Sequence, residues 1–172
     1  GYKTVRGFAK DYCDKLGLTP EQKALFLRGE KIVVIDTSAL LKNPQLIDEL
    51  CKEYSRVIIP KIVVDELDNI KDHNTNGHAS KAWQLLKSIG GNTNVITMDY
   101  TGEETDDNND CKIIGVAEQA AEEYSCEADL ITYDAGFAAR LSGHETVRAL
   151  FLEEYMITKQ NLMDINSLKK LN

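Results

Sequence analysis

Four short runs of β-favouring apolar residues constrain this chain most: IVVI at 32–35, RVIIP at 56–60, NVITM at 94–98 and DLITY at 129–133. None alternates apolar with polar residues, as a strand with one wet face does. A continuous apolar run suits a strand covered on both sides, and such strands belong to parallel sheets whose crossover helices lie over them. TVRALFL at 146–152 is a weaker fifth run. Helical patterns fill the gaps. NPQLIDELCKEY has Pro44 near its first turn and apolar Leu46, Ile47, Leu50 and Cys51. KIVVDELDNIK follows Pro60, and HASKAWQLLKSI runs into Gly90-Gly91, a stop signal. DCKIIGVAEQAAEEY sets Ile113, Val116, Ala117 and Ala120 on one face, with Asn109 or Asp110 as its cap. Strands that alternate with helices predict an α/β fold around a mainly parallel sheet.

At 172 residues the chain is expected to form one main domain, with no repeat and no linker. Residues 1–30 carry six basic and four acidic side chains, with Thr19-Pro20-Glu21 as a helix start. They are expected to form a helical extension, residues 31–152 the main domain, and 153–172 a C-terminal extension packed on it or trailing it. The chain opens on Gly1, as an excised domain would. Cys13, Cys51, Cys111 and Cys126 form no CxxC pair, which predicts reduced thiols in the cytoplasm and no zinc site. No apolar run approaches the ~20 residues of a membrane span, so no membrane partner is expected.

The first strand ends on an acid, in KIVVIDTSALL. In open parallel sheets, function gathers just beyond the carboxyl ends of the strands. Asp36 closes the first strand there and Asp134 the fourth. Asp110 begins the helix before the fourth strand, and Glu66 lies on the helix after the second. Topology can bring these four together. Each also has a plainer role: Asp36, Asp110 and Asp134 as helix caps, Glu66 as one solvated acid beside Asp65 and Asp68. Crowded carboxylates repel unless a cation intervenes, and all-oxygen ligands suit Mg²⁺ or Mn²⁺. A charge of −8 opposes general nucleic-acid coating. Five acids of EETDDNND, 103–110, read as a solvated loop or part of a cation site.

Four ordered motifs, VIDTSALLKNPQLI, VIIPKIVVDELDNIK, NNDCKIIGVAEQ and LITYDAGFAARL, resemble those of PIN-domain nucleases. The likeness spans about residues 31–152 and is nearest to the larger PIN domains of PhoH-type proteins and nonsense-mediated-decay endonucleases. It implies a three-layer α/β/α fold around a five-stranded sheet of order 3-2-1-4-5. It also implies one or two divalent metals, and hydrolysis of single-stranded RNA to a 5′-phosphate and a 3′-hydroxyl. On that resemblance Asp36, Glu66, Asp110 and Asp134 are the catalytic and metal-binding acids, supported by Ser38 and Thr132. Many relatives carry a further acid two residues after the fourth; here that residue is Gly136, which implies a weaker second metal position.

Lys42, Lys61, Lys71, Lys112 and Arg140 lie near the motifs and could hold phosphates. Tyr100 and Tyr133 are candidates for stacking on a base, with Tyr133 also a core candidate. His73 and His78 form no HExxH and read as exposed loop residues. A further domain or protein partner is compatible with the chain. Two other functions compete. One is a non-catalytic PIN scaffold for RNA or protein. The other is a haloacid-dehalogenase-type phosphatase, which would need an acid where Ser38 stands. Removing charge at Asp36 or Asp110 is expected to leave the fold intact or more stable.

Overall fold

The computed structural model describes residues 15–17, 31–73, 77–103 and 109–171. Beyond Lys15 to Gly17, the predicted N-terminal helices lie outside these residues. So does most of the 103–110 acidic run. From residue 31 each strand is followed by one or two helices: β1 (Ile32–Ile35), α1 (Thr37–Lys42), α2 (Leu46–Glu53), β2 (Arg56–Pro60), α3 (Lys61–His73), α4 (His78–Gly91), β3 (Val95–Met98), α5 (Asn109–Glu123), β4 (Ala128–Thr132), α6 (Ala135–Arg140), β5 (Val147–Phe151) and α7 (Leu152–Leu171). The five strands form one parallel sheet, ordered β3-β2-β1-β4-β5.

Burial explains the apolar runs. β1 and β4 are buried at every residue, and β2 at every residue but Arg56. Edge strand β3 is only half-buried, which fits its polar Thr97. Pro60 is the last residue of inner strand β2, where a missing N–H disrupts the ladder least. α2 and α5 dock the faces read from the sequence, Leu46, Ile47 and Leu50 with Cys51 half-buried, and Ile113, Val116, Ala117 and Ala120 with Ala121 beside them; α3 buries Val63 and Leu67. Gly90 and Gly91 stay inside the last turn of α4, and extended Asn92 ends it instead. Gly77, at φ 83°, turns the chain into α4. His73 and His78 are exposed, as expected, at the two helix ends that flank this turn. Gly115 lets Tyr100 lie against α5, since a Cβ there would overlap the ring.

Residues 152–171 form one helix, and its first half is tied to α2. The Tyr155 hydroxyl donates to Glu53 (2.6 Å), and Lys159 bridges Glu53 and Glu49. Ile157, Met163, Ile165 and Leu168 are exposed.

The amino end of the sheet holds an ionic cluster around the buried Asp129. Register pairs Asp129 with Arg148, whose Nε and Nη2 donate to the two carboxylate oxygens at 3.0 Å each. The Tyr54 hydroxyl adds a 2.6 Å bond to Oδ2. Burial, then Asp129, pushes the Tyr54 phenol up, and burial with Glu53 does the same to Tyr155. A group whose pKa is higher folded than unfolded stabilises the fold fully below its unfolded value, about 10 for Tyr, and loses that contribution as pH rises past it. Thermal melts from pH 8 to 11.5 will therefore show stability falling above about pH 10. The fall will be shallower in Tyr54→Phe, which costs about 1 kcal/mol at neutral pH for the lost bond.

Candidate active site

β1 delivers its acid to the carboxyl edge of the sheet, between two neighbours. Ile35 pairs with Ile131 and the Asp36 N–H donates to the Ile131 carbonyl (3.1 Å), so Asp36 lies beside Thr132 at the end of β4. Asp36 is 5% exposed. Its Oδ1 accepts from the Ser38 hydroxyl (2.6 Å) and from the Ala39 N–H (3.1 Å), the cap of α1; its Oδ2 accepts from the Thr132 hydroxyl (2.6 Å). The two hydroxyls have second duties. Ser38 Oγ accepts the Tyr133 N–H and Thr132 Oγ1 accepts the Asp134 N–H, both at 3.0 Å. Ser38 and Thr132 thus hold the Asp36 side chain and the Asp134 backbone together.

Asp134 caps α6, its Oδ1 taking the Gly136 and Phe137 N–H groups. Glu66 is half-buried on α3, one residue from the buried Leu67 and three from Val63, while Asp65 and Asp68 are exposed. That phase turns Glu66 toward α1. Thr37 Oγ1 donates to its Oε2 (2.7 Å), and Asn109 Nδ2 donates to its Oε1 (2.9 Å). Asp110 follows Asn109 in the first turn of α5, and the Arg140 guanidinium, at the end of α6, donates to its Oδ2 (2.6 Å).

Hydrogen bonds and the chain itself together close a circuit: Asp36 bonds Thr132, which bonds the Asp134 N–H; α6 leads to Arg140, which bonds Asp110; and next to Asp110, Asn109 bonds Glu66, which bonds Thr37, next to Asp36. All four acids lie on it. Asp36 and Asp134 are also helix caps, so the plainer reading holds beside the other. Thr37 was not singled out in the sequence, and Asn109 only as a candidate helix cap; their only signal for the site is adjacency to Asp36 and Asp110.

The cations divide. Lys61 pairs with Asp99 (3.9 Å), and Lys71 with Asp68 and Asp72. Lys42 lies 5.0 Å from the centre of the Tyr133 ring, and that ring stacks on Phe151 (5.7 Å, 11° between planes). Lys112 is half-buried one turn into α5. Tyr133 is half-buried beside Asp134, and Tyr100 packs on α5.

The donors are carboxylate oxygens, a hard set suited to a divalent cation. Among the described residues no three His, Cys, Asp or Glu side chains form a group that could enclose a metal. An ion here would have to be held by one or two of the carboxylates together with waters and substrate phosphate, as Mg²⁺ normally is.

A parallel sheet of this order with acids along its carboxyl edge defines a nuclease-like α/β domain. The sequence pattern of the PIN domain matches residues 33–144, and the chain belongs to the PIN-domain family. PIN domains are typically nucleases, generally use divalent metals and commonly bind nucleic acids. A domain of a functionally unknown protein from Methanocaldococcus jannaschii DSM 2661 shares the fold, with 20% identity over 71% of this chain and 91% of that one and a TM-score of 0.51. The PIN domain of human SMG5 is 21% identical over 72% of this chain and 96% of that one, with a TM-score of 0.49. No curated protein matches the chain.

The geometry revises the expectation for charge removal at Asp36. An amide there would present Nδ2 or Oδ1 to Thr132 and Ser38, and one buried hydroxyl would lose its acceptor. Asp36→Asn is expected to cost about 1–3 kcal/mol in urea denaturation. Asp110→Asn, which breaks only an exposed pair, is expected to change stability by less than about 1 kcal/mol.

Proposed function

We propose that this PIN domain is a Mg²⁺- or Mn²⁺-dependent endoribonuclease of the cytoplasm. In this reading it hydrolyses phosphodiester bonds of single-stranded RNA to a 5′-phosphate and a 3′-hydroxyl. The observation that carries it is the set of hydrogen bonds linking the surroundings of Asp36, Glu66, Asp110 and Asp134. RNA as the substrate rests on the motif resemblance. The absence of a helix long and apolar enough to cross a membrane, among the described residues, is compatible with it.

Asp36 and Asp134 would hold the ion, with waters and the substrate phosphate completing its shell; when bound it would supply Lewis-acid polarisation of the phosphodiester and acidify water. The chain's own groups do the rest. Asp36 is fixed by three donors and cannot turn away when a cation or phosphate approaches. Asp134 spends Oδ1 on the cap of α6, which leaves Oδ2 as its donor to a cation. Glu66 is oriented through both oxygens by Thr37 and Asn109. Each oxygen keeps a lone pair, so Glu66 is the candidate general base for the attacking water. Lys42 and Lys112 are the candidate phosphate-binding cations. A duplex would be a poor substrate, since RNA helices are stiff and contacted mainly through shape and backbone.

A non-catalytic scaffold is the second reading, and one observation favours it: Arg140 already engages Asp110. Cleavage of labelled single-stranded RNA with Mn²⁺, by wild type and by Asp110→Asn from identical preparations, separates the two. The expected loss is roughly a thousandfold, the equivalent of about 4 kcal/mol. Equal cleavage by both would reveal a contaminating ribonuclease and defeat the catalytic assignment; none by either would leave the scaffold reading.

A further inference from the structure

We propose that Arg140 is the resident cation of this site: it takes the Asp110 end of the acidic edge in place of a second divalent ion, and it presents its guanidinium to the RNA phosphate. The inference rests on the nuclease reading and specifies its metal count and its phosphate ligand.

The geometry is specific to this side chain. α6 begins at Asp134 and ends at Arg140, so one short helix carries both an acid of the quartet and the cation that meets another. The guanidinium carbon lies 5.8 Å from the centre of the fully buried Phe137 ring, a support on the same helix. From there Nη2 reaches Asp110 Oδ2 at 2.6 Å, across to the start of α5. Among the described residues, the other ion-paired cations near the edge are spent elsewhere, Lys61 on Asp99 and Lys71 on Asp68 and Asp72. Arg140 alone in that set pairs with a quartet acid.

The fold does not need this pair. Both side chains are substantially exposed, 53% and 34%, and exposed pairs contribute little to stability. Its consequence is local. A divalent ion bound through the same carboxylate would lie close to the guanidinium, and like charges at that range repel. Ion binding is therefore directed to the Asp36 and Asp134 end, where every hydrogen bond recorded to the carboxylates comes from a neutral donor. Only one of the five guanidinium N–H donors is used on Asp110 among the described residues. The others form the planar fork that matches two oxygens of a phosphodiester.

Two measurements on the full chain test this, with wild type, Arg140→Gln and Arg140→Lys. In calorimetric titration with MnCl₂, wild type is expected to bind one ion. Arg140→Gln is expected to bind two, or one at least tenfold more tightly. Arg140→Lys, which keeps the charge but not the fork, is expected to match wild type. In fluorescence anisotropy with a labelled single-stranded RNA in EDTA, Arg140→Gln is expected to weaken binding threefold or more. Coincident melting curves check that the variants are folded. Two ions in wild type, or the same Mn²⁺ titration in wild type and Arg140→Gln, would overturn the proposal while leaving the nuclease reading standing. Undiminished RNA binding by Arg140→Gln would remove the phosphate role. No Mn²⁺ uptake by any folded variant at millimolar concentration would overturn the metal reading and this proposal together.

Discussion

A carboxylate at the end of the central strand, almost fully removed from water, sets the terms for this structure. Burying a charge without partners is too costly to persist. Asp36 therefore collects three donors, and each comes from a different demand on the chain. Ser38 must lie in the first turn of α1. The Ala39 N–H must be an uncapped donor, so the helix must begin at Thr37. Thr132 must end β4, in register with the end of β1. A slip of one residue in that register would send the Thr132 hydroxyl to the other face of the sheet. The acid, the register and the helix start specify one another.

The two ends of the sheet solve the same problem differently. Asp129, near the amino end, is also buried, but the Arg148 fork meets it through both oxygens and the Tyr54 hydroxyl completes it. Its charge is neutralised in place, which makes that cluster structural. Asp36 accepts only from hydroxyls and a peptide N–H. Its charge is solvated but not cancelled, and Glu66 and Asp134 likewise receive only neutral donors. The carboxyl edge therefore carries carboxylates whose donors bring no countercharge, Asp110 with its Arg140 excepted, whereas Asp129 at the amino end has its own. Such an edge attracts a cation from outside the chain, which is why the reading as an enzyme belongs to this end.

Local pattern made the framework legible. Strands buried on both faces require unbroken apolar runs, and the five strands fall within one residue of those runs at either end. Helix faces followed from the 3.6-residue period, as with Ile113, Val116, Ala117 and Ala120. Asp36 and Asp134 were legible because a strand end places a residue without ambiguity. Glu66 was harder, since Asp65 and Asp68 share its chemistry; the phase set by Val63 and Leu67 decides among them. Thr37 and Asn109 were not legible. Their partner Glu66 is 29 and 43 residues away, and Thr and Asn are ordinary residues at helix starts, so local sequence gives no reason to pair them with anything remote. Arg140 could be noted as a nearby cation, but not as the partner of Asp110, 30 residues away.

The side chains that fix the acids also join the layers of the domain. Thr132 links β1 to β4, Thr37 links α1 to α3, Asn109 links α5 to α3, and Arg140 links α6 to α5. Each link is a single hydrogen bond, with a modest net contribution to stability, and the apolar core under the sheet needs none of them to form. Their value lies in precision. Four acids carried on different elements must keep their spacing closely if they are to act on one phosphate. Bonds that fix each carboxylate do this better than independent rotamers, because Asp36, Glu66, Asp110 and Asp134 each lose at least one donor if they turn away. Electrostatic repulsion among these acids pushes the same elements apart, so these bonds oppose the force that the function creates. The residues around the acids are therefore as much a part of the site as the acids themselves.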